Sequence, residues 1–226
     1  MDLPLNHQIH PPHLGHWVVR RRYILVILSA ILIILLWQAV INWGHFPAFI
    51  LPSPGQVWTR FLQKLSDGSL LWHTGVTLEE VVLGLFSGAG LASVLGYLLA
   101  KNRVVESLLA PYLVASQAIP VVAIAPLLII WFGPGVFSKV LICGLVVFFP
   151  VLVNTMVGLR GVPENLHDLM RSLRATRWQM LLKLEIPAAL PSFLGGLRVG
   201  ATLSVIGAVV GEFVGSDRGL GFLVNV

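Results

Sequence analysis

Charged side chains are scarce in this sequence. Asp, Glu, Lys and Arg make up 11% of its 226 residues, against 56% hydrophobic ones, where a soluble domain carries roughly 25% charged residues. That balance excludes an ordinary water-soluble globule and makes lipid the expected solvent. Cysteine is nearly absent. Cys143 stands alone inside an apolar run, so no intrachain disulfide can form and the thiol reads as a small hydrophobe. The phosphate-cradling pattern G-x-x-x-x-G-K-[ST] is missing, so nucleotide hydrolysis is not expected in this chain. A nucleophile–base constellation is missing too, because the histidines sit in the N-terminal stretch, in region 45–73 and at position 167. The chain therefore does not read as an enzyme, and no cofactor of its own is expected. The formal charge of +5 does not point to nucleic acid, since the basic residues flank apolar segments instead of gathering on one soluble face. The positive-inside rule accounts for them.

Five apolar segments are present. Residues 1–22 read as a cytoplasmic tail, polar and without periodicity through residue 19. His7, His10, His13 and His16 recur every third residue there, but Pro11 and Pro12 interrupt any continuous helix and no Cys or carboxylate cluster accompanies them, so a metal site is not expected. Arg20, Arg21 and Arg22 precede segment 23–43, which is long enough to cross the roughly 30 Å hydrocarbon layer. It lacks the small-residue cleavage site of a signal peptide. It reads as a retained first transmembrane helix with its N-terminus in the cytoplasm.

Residues 44–73 read as a periplasmic loop. Within it LPSPGQVW (51–58) offers Ser53 as N-cap, Pro54 at the first helical position and Gln56 to complete a capping box, so a short amphipathic helix should run to about Asp67-Gly68. A core of membrane helices would follow over 74–226, with spans at 76–100, 108–132, 137–158 and 193–214. Glu79 and Glu80 fall near the outer end of the second span, where interfacial solvation is expected. Gly84, Gly88, Gly90 and Gly96 suit close helix approach. The third span carries Pro111, Pro120 and Pro126 and reads as one kinked helix. WFGPG (131–135) is an outer turn, and Lys139 just after it is placed to snorkel to the interface. Ser116, Gln117, Pro120, Thr202, Ser204 and Glu212 are the polar or helix-breaking members that a pathway could use. Ten of the fifteen Lys and Arg face the cytoplasm in this arrangement.

A basic island, 161–192, separates the last two spans. Pro163 and Glu164 suit a helix start. Leu166, Leu169, Met170 and Leu173 then form one apolar stripe at i, i+3, i+4, i+7. TRWQ (176–179) is a second capping box, with Thr176 as N-cap and Gln179 at N3, followed by a stripe of Trp178, Leu181 and Leu182. Pro187 is expected to end that helix. The island thus reads as two short helices joined near 174–176, a knob fitted to a partner's groove.

At residues 168–187 the island resembles the EAA loop of permease subunits of bacterial ABC importers: E-A-A, three residues, G, nine residues, I-x-L-P. The matching positions are Asp168, Leu169, Met170, Arg174, Leu184, Ile186 and Pro187, with Ala175, Thr176 and Trp178 in the same loop. Spacing and the closing proline agree. Asp168 replaces the glutamate, Leu169 and Met170 the two alanines, and Arg174 the turn glycine. The last change either strains the turn or moves it towards Ala175. LPSPGQVW, IPVVAIAPLLIIWFGPG, FFPVLVNTMVGLRGV, IPAALPSFLGGLR and GEFVGSDRGLGFLV extend the likeness over 48–226, towards the nitrate, sulfonate and taurine branch. Glu80 stands where relatives usually carry arginine.

The resemblance implies an all-α integral membrane protein of the MetI-like type I ABC importer permease fold. About five transmembrane helices are expected here, the family's sixth lying beyond GLG. It implies a second permease copy, two cytoplasmic ATPase subunits that bind ATP with magnesium, and a periplasmic or lipid-anchored substrate-binding protein. The expected location is the bacterial inner membrane. The solute expected is small, anionic and organic, such as a sulfonate or taurine, with nitrate or a vitamin precursor also compatible. A membrane scaffold would need clustered polar residues in the spans, and a secondary transporter would show inverted repeats and intramembrane charges. Neither pattern is visible.

Overall fold

The computed structural model describes residues 15–44 and 47–225, with side chains from residue 23 onward. His7, His10 and His13 lie outside the described residues. All regular elements among the described residues are helices, and the chain divides after Asp67 into two compact units.

In the first unit α1 runs Gly15–Gly44. It begins ahead of the expected boundary at residue 23, because no proline follows Pro12 to stop a helix continuing back from the apolar span. Its apolar side chains from Tyr23 to Leu36 are exposed around the whole circumference, the signature of a helix solvated by lipid. Helix α2, Pro54–Ser66, forms as its sequence predicts. The Ser53 hydroxyl accepts from the Gln56 N–H, and the Gln56 side chain accepts from the Ser53 N–H at 2.9 Å. Asp67 caps the other end, and Gly68 takes φ +72°.

The second unit is built on α3 (Ser69–Lys101), α6 (Val136–Arg160) and α9 (Ile186–Gly215), packed along their lengths. At 33 residues α3 is about 50 Å long, so it projects beyond a 30 Å hydrocarbon layer. Small residues let the three backbones close up. A Cβ on Gly88 would stand 2.5 Å from the Gly144 carbonyl oxygen, and one on Gly196 2.6 Å from the Asn154 Cβ. Around these seams Ala89, Ala92, Leu99, Val147, Val151 and Leu152 are buried. Membrane helices associate through this kind of close contact, since lipid removes the hydrophobic drive between them.

The third apolar segment differs from the single kinked helix the sequence suggests. It forms α4 (Arg103–Gln117) and α5 (Val121–Phe132), bent by 93° at the break. Of its three prolines only Pro120 breaks the path. Pro111 and Pro126 are accommodated inside α4 and α5, whereas the last turn of α4 tightens into i→i−3 bonds, Ala118 to Ala115 at 3.1 Å and Ile119 to Ser116 at 3.3 Å. Pro120 then offers no donor and disfavours helical backbone at Ile119. With that pair counted as one, up to five spans have the length and composition to cross a membrane.

Pro187 also behaves differently from expectation. It does not end a helix. Helix α8 (Arg177–Met180) continues through a π-helical turn, Leu181–Glu185, directly into α9. The Ile186 N–H reaches back five residues to the Leu181 carbonyl. That wider turn relieves the clash between a proline ring and the carbonyl four residues before it. Helix α7 (Glu164–Ser172) precedes this run, and α10 (Leu220–Asn225) follows α9 and packs on α9 and α3.

Candidate functional site: the loop between α6 and α9

The loop is held by its own backbone chemistry. Pro163 (φ −60°, ψ 140°) precedes α7 and leaves Glu164 in the first turn, where a carboxylate complements the helix dipole. At the far end the Arg174 N–H bonds to the Arg171 carbonyl at 2.9 Å, and the Ala175 N–H to the Met170 carbonyl at 3.0 Å. This pair of 5→2 and 6→1 bonds is the Schellman arrangement, which requires a left-handed residue between them. Arg174 supplies it at φ 53°, the one non-glycine residue with positive φ among the described residues. The turn has therefore stayed in its place and the arginine bears the strain.

Thr176 then caps α8. Its hydroxyl accepts from the Gln179 N–H at 3.3 Å, and its own N–H donates to the Gln179 side chain at 2.8 Å. The Schellman turn and the capping box together fix the angle between α7 and α8, and the knob presents its apolar side chains outward. Leu169 is 54% exposed, Leu173 69%, Trp178 72% and Leu182 59%. Met170 and Leu184 are half-buried at the base. Asp168 is exposed and pairs with Arg171 at 3.0 Å, a surface contact worth little to stability.

Beneath the knob lies a cluster that sequence reasoning missed. Glu185, in the π-helical turn, is 2% exposed. Its Oε1 accepts from Lys101 Nζ at 2.5 Å, and His167 Nε2 stands 3.4 Å away. Lys101 closes α3 and His167 lies on α7, so one carboxylate joins three elements. Beside it Arg160, the last residue of α6, forms a two-pronged ion pair with Glu106 of α4.

The candidate pathway residues separate into two groups. Ser116 and Gln117, next to the bend at Pro120, line a cavity of about 250 Å³ with Ile119, Val121, Ile124, Leu145, Val146, Phe149 and Leu203. Thr202 is on an exposed face of α9, with its hydroxyl donating to the Arg198 carbonyl at 3.2 Å. Ser204 and Glu212 are buried between helices instead. The Ser204 hydroxyl donates to the Val81 carbonyl at 3.2 Å.

Glu212 belongs to a latch at the end of the bundle opposite the loop. Its Oε1 accepts from the Thr77 hydroxyl at 2.6 Å and its Oε2 from the Gly221 N–H at 2.6 Å. The Gly219 N–H donates to His73 Nδ1, and the Leu220 N–H to Thr77 Oγ1, both at 2.9 Å. Gly219 is at φ +99°, and a side chain there would run into the Glu212 carboxylate. Glu80 and Lys139 depart from the interfacial placements expected of them, and both are fully buried. Lys139 donates to the Pro134 carbonyl and, at 3.1 Å, to Ser216, and neither Glu80 oxygen has a hydrogen-bond partner among the described residues. Among the described residues no group of three or more His, Cys, Asp or Glu is placed to hold a metal.

Close-packed helices long and apolar enough to span a membrane, a broken span beside a cavity and a rigid exposed knob between two spans are the parts a membrane permease needs. The family described as binding-protein-dependent transport system inner membrane component matches residues 88–226, and the chain belongs to it. A riboflavin transport system permease protein of Chloroflexus aurantiacus is 48% identical over 88% of this chain and 74% of its own. A formylaminopyrimidine transport permease protein of Halalkalibacterium halodurans is 41% identical over 77% of this chain and 69% of its own. A taurine transport system permease protein of Escherichia coli is 30% identical over 100% of this chain and 84% of its own. The chain is thus a multi-pass inner-membrane permease subunit of an ABC transporter for a small solute, working with ATPase and substrate-binding partners and not itself catalytic.

Proposed function

We propose that two copies of this chain form one solute pathway, and that region 161–192 of each docks one of two separate cytoplasmic ATPase subunits that bind ATP with magnesium. A periplasmic or lipid-anchored binding protein delivers solute at the other end. Closure of the ATPases on ATP moves the two loops and switches access from outside to inside. The observation that carries this reading is the knob itself: Leu169, Leu173, Trp178 and Leu182 exposed on a segment whose angle is fixed by a Schellman turn and a capping box. Such a rigid apolar face fits a groove on a soluble partner. The excess of Lys and Arg on the loop's side of the spans supports a cytoplasmic N-terminus and a cytoplasmic loop.

The cavity at the bend offers a hydroxyl, a carboxamide and an aromatic ring, and no charged side chain lines it. An anion entering there would lose its water without gaining a countercharge, which is costly. An uncharged heterocycle of the kind the flavin and pyrimidine permeases are named for fits this lining better than an organic anion.

Asp168→Ala and Trp178→Glu test the docking assignment. Both variants should reach the membrane at normal levels, lose most co-purifying ATPase and lose ATP-driven uptake in proteoliposomes. Undiminished co-purification in both variants would refute it.

A further inference from the structure

We propose that Glu185 is a positioning residue that carries the push on the loop into α3 as well as α9. The inference rests on the docking role of the loop proposed above and concerns what lies beneath it. A push delivered to α7 and α8 has two covalent routes into the spans, back through 161–163 into α6 and on through the π-helical turn into α9, and none into α3. Glu185 adds a non-covalent route into α3, because its carboxylate takes Lys101 from the end of α3 at 2.5 Å and faces His167 of α7 at 3.4 Å.

The far end of the same two helices is also joined. Thr77 of α3 and Glu212 of α9 are hydrogen-bonded at 2.6 Å. From Thr77 to Lys101 along α3 is about 36 Å, and from Glu185 to Glu212 about 40 Å at 1.5 Å rise per residue. Two antiparallel helices of matching length are therefore tied at both ends, and α6 packs against both. A strut fixed at one end only would splay when pushed at the other. Fixed at both, α3 and α9 move as one piece.

The chemistry suits a moving joint. A carboxylate accepts through two oxygens, and the Oε2 of Glu185 is buried without a partner among the described residues. Lys101 can therefore swing from one oxygen to the other as the loop shifts, and the two side chains stay in contact throughout. A π-helical turn with its last side chain buried is a natural place for such a joint, because its wide backbone ring is already displaced from α-helical register.

The test uses the whole importer, with its ATPase and binding protein, in proteoliposomes. The readout is solute accumulated per ATP hydrolysed, with ATPase occupancy of the complex measured alongside. Glu185→Gln and Lys101→Met should each lower the ratio by about fivefold or more, within the span usual for coupling between sites, while the ATPase stays bound. The double variant should be no worse than either single one, because both remove the same link. The reversed pair, Lys101→Glu with Glu185→Lys, should recover at least half of the ratio. Lys101 is 44% exposed, so its replacement leaves folding intact even if Glu185→Gln does not assemble. An unchanged ratio in Lys101→Met would overturn the proposal, as would additive losses in the double variant. Loss of ATPase binding in Lys101→Met would also overturn it, since the residue would then serve docking. The docking assignment fails separately, through Asp168 and Trp178.

Discussion

Arg174→Gly isolates the strain in the coupling loop from every contact the loop makes. The arginine holds φ 53° between two Schellman hydrogen bonds. Left-handed backbone costs a residue with a Cβ roughly 1–2 kcal/mol. Glycine removes that cost but adds unfolded-state freedom worth about 0.4–1 kcal/mol. The net gain is about 0.5–1 kcal/mol, which is roughly a two- to fivefold change in an opening equilibrium at 1.4 kcal/mol per factor of ten. Hydrogen–deuterium exchange of peptides over 164–180, in the purified permease, reads that equilibrium directly, because the Arg174 and Ala175 amides are the two donors of the turn. Arg174→Gly should slow their exchange about two- to fivefold. Arg174→Val, β-branched and poorly tolerated at positive φ, should speed it by a comparable factor or more. If the glycine variant exchanged as fast as the parent while the valine variant was unaffected, the turn would not be where the strain resides.

Two further perturbations probe the bundle. Gly88→Leu drives a side chain into the Gly144 backbone. Forced overpacking costs about 1–3 kcal/mol even where side chains can yield, and here the obstacle is backbone, so the purified variant should show a clearly lower thermal midpoint in detergent. Gly219→Ala combines positive φ with a collision against Glu212. It should release the latch, seen as faster exchange of the Leu220 and Gly221 amides, while ATPase binding at the opposite end is retained.

What the sequence disclosed followed the range of the interactions involved. Both capping boxes, Ser53 with Gln56 and Thr176 with Gln179, lie within four consecutive residues and formed as read. At Arg174 the family's spacing asked for glycine and left a strained turn or one moved towards Ala175, and the structure shows the former. The break at Pro120 was not legible. Three prolines competed for it, and Pro111 and Pro126 are absorbed within α4 and α5. Pro187 misled because a terminator rule for α-helices does not anticipate a π-helical turn. The joint at Glu185 was out of reach, because Lys101 is 84 residues away in sequence and nothing in the spacing links them. Glu212 was legible in the sequence as a carboxylate within a span, but its partners were not. Its burial against the Thr77 hydroxyl and the Gly221 N–H could be seen only once the GLG turn had folded over it.

The most direct test of the account is site-specific photocrosslinking in the assembled importer. A photoreactive phenylalanine analogue at Leu169, Leu173 or Trp178 should form an adduct with the ATPase subunit, while the same group at Phe86, exposed on α3, should not. Adducts absent from all three loop positions in an intact complex, or equally strong from Phe86, would contradict it.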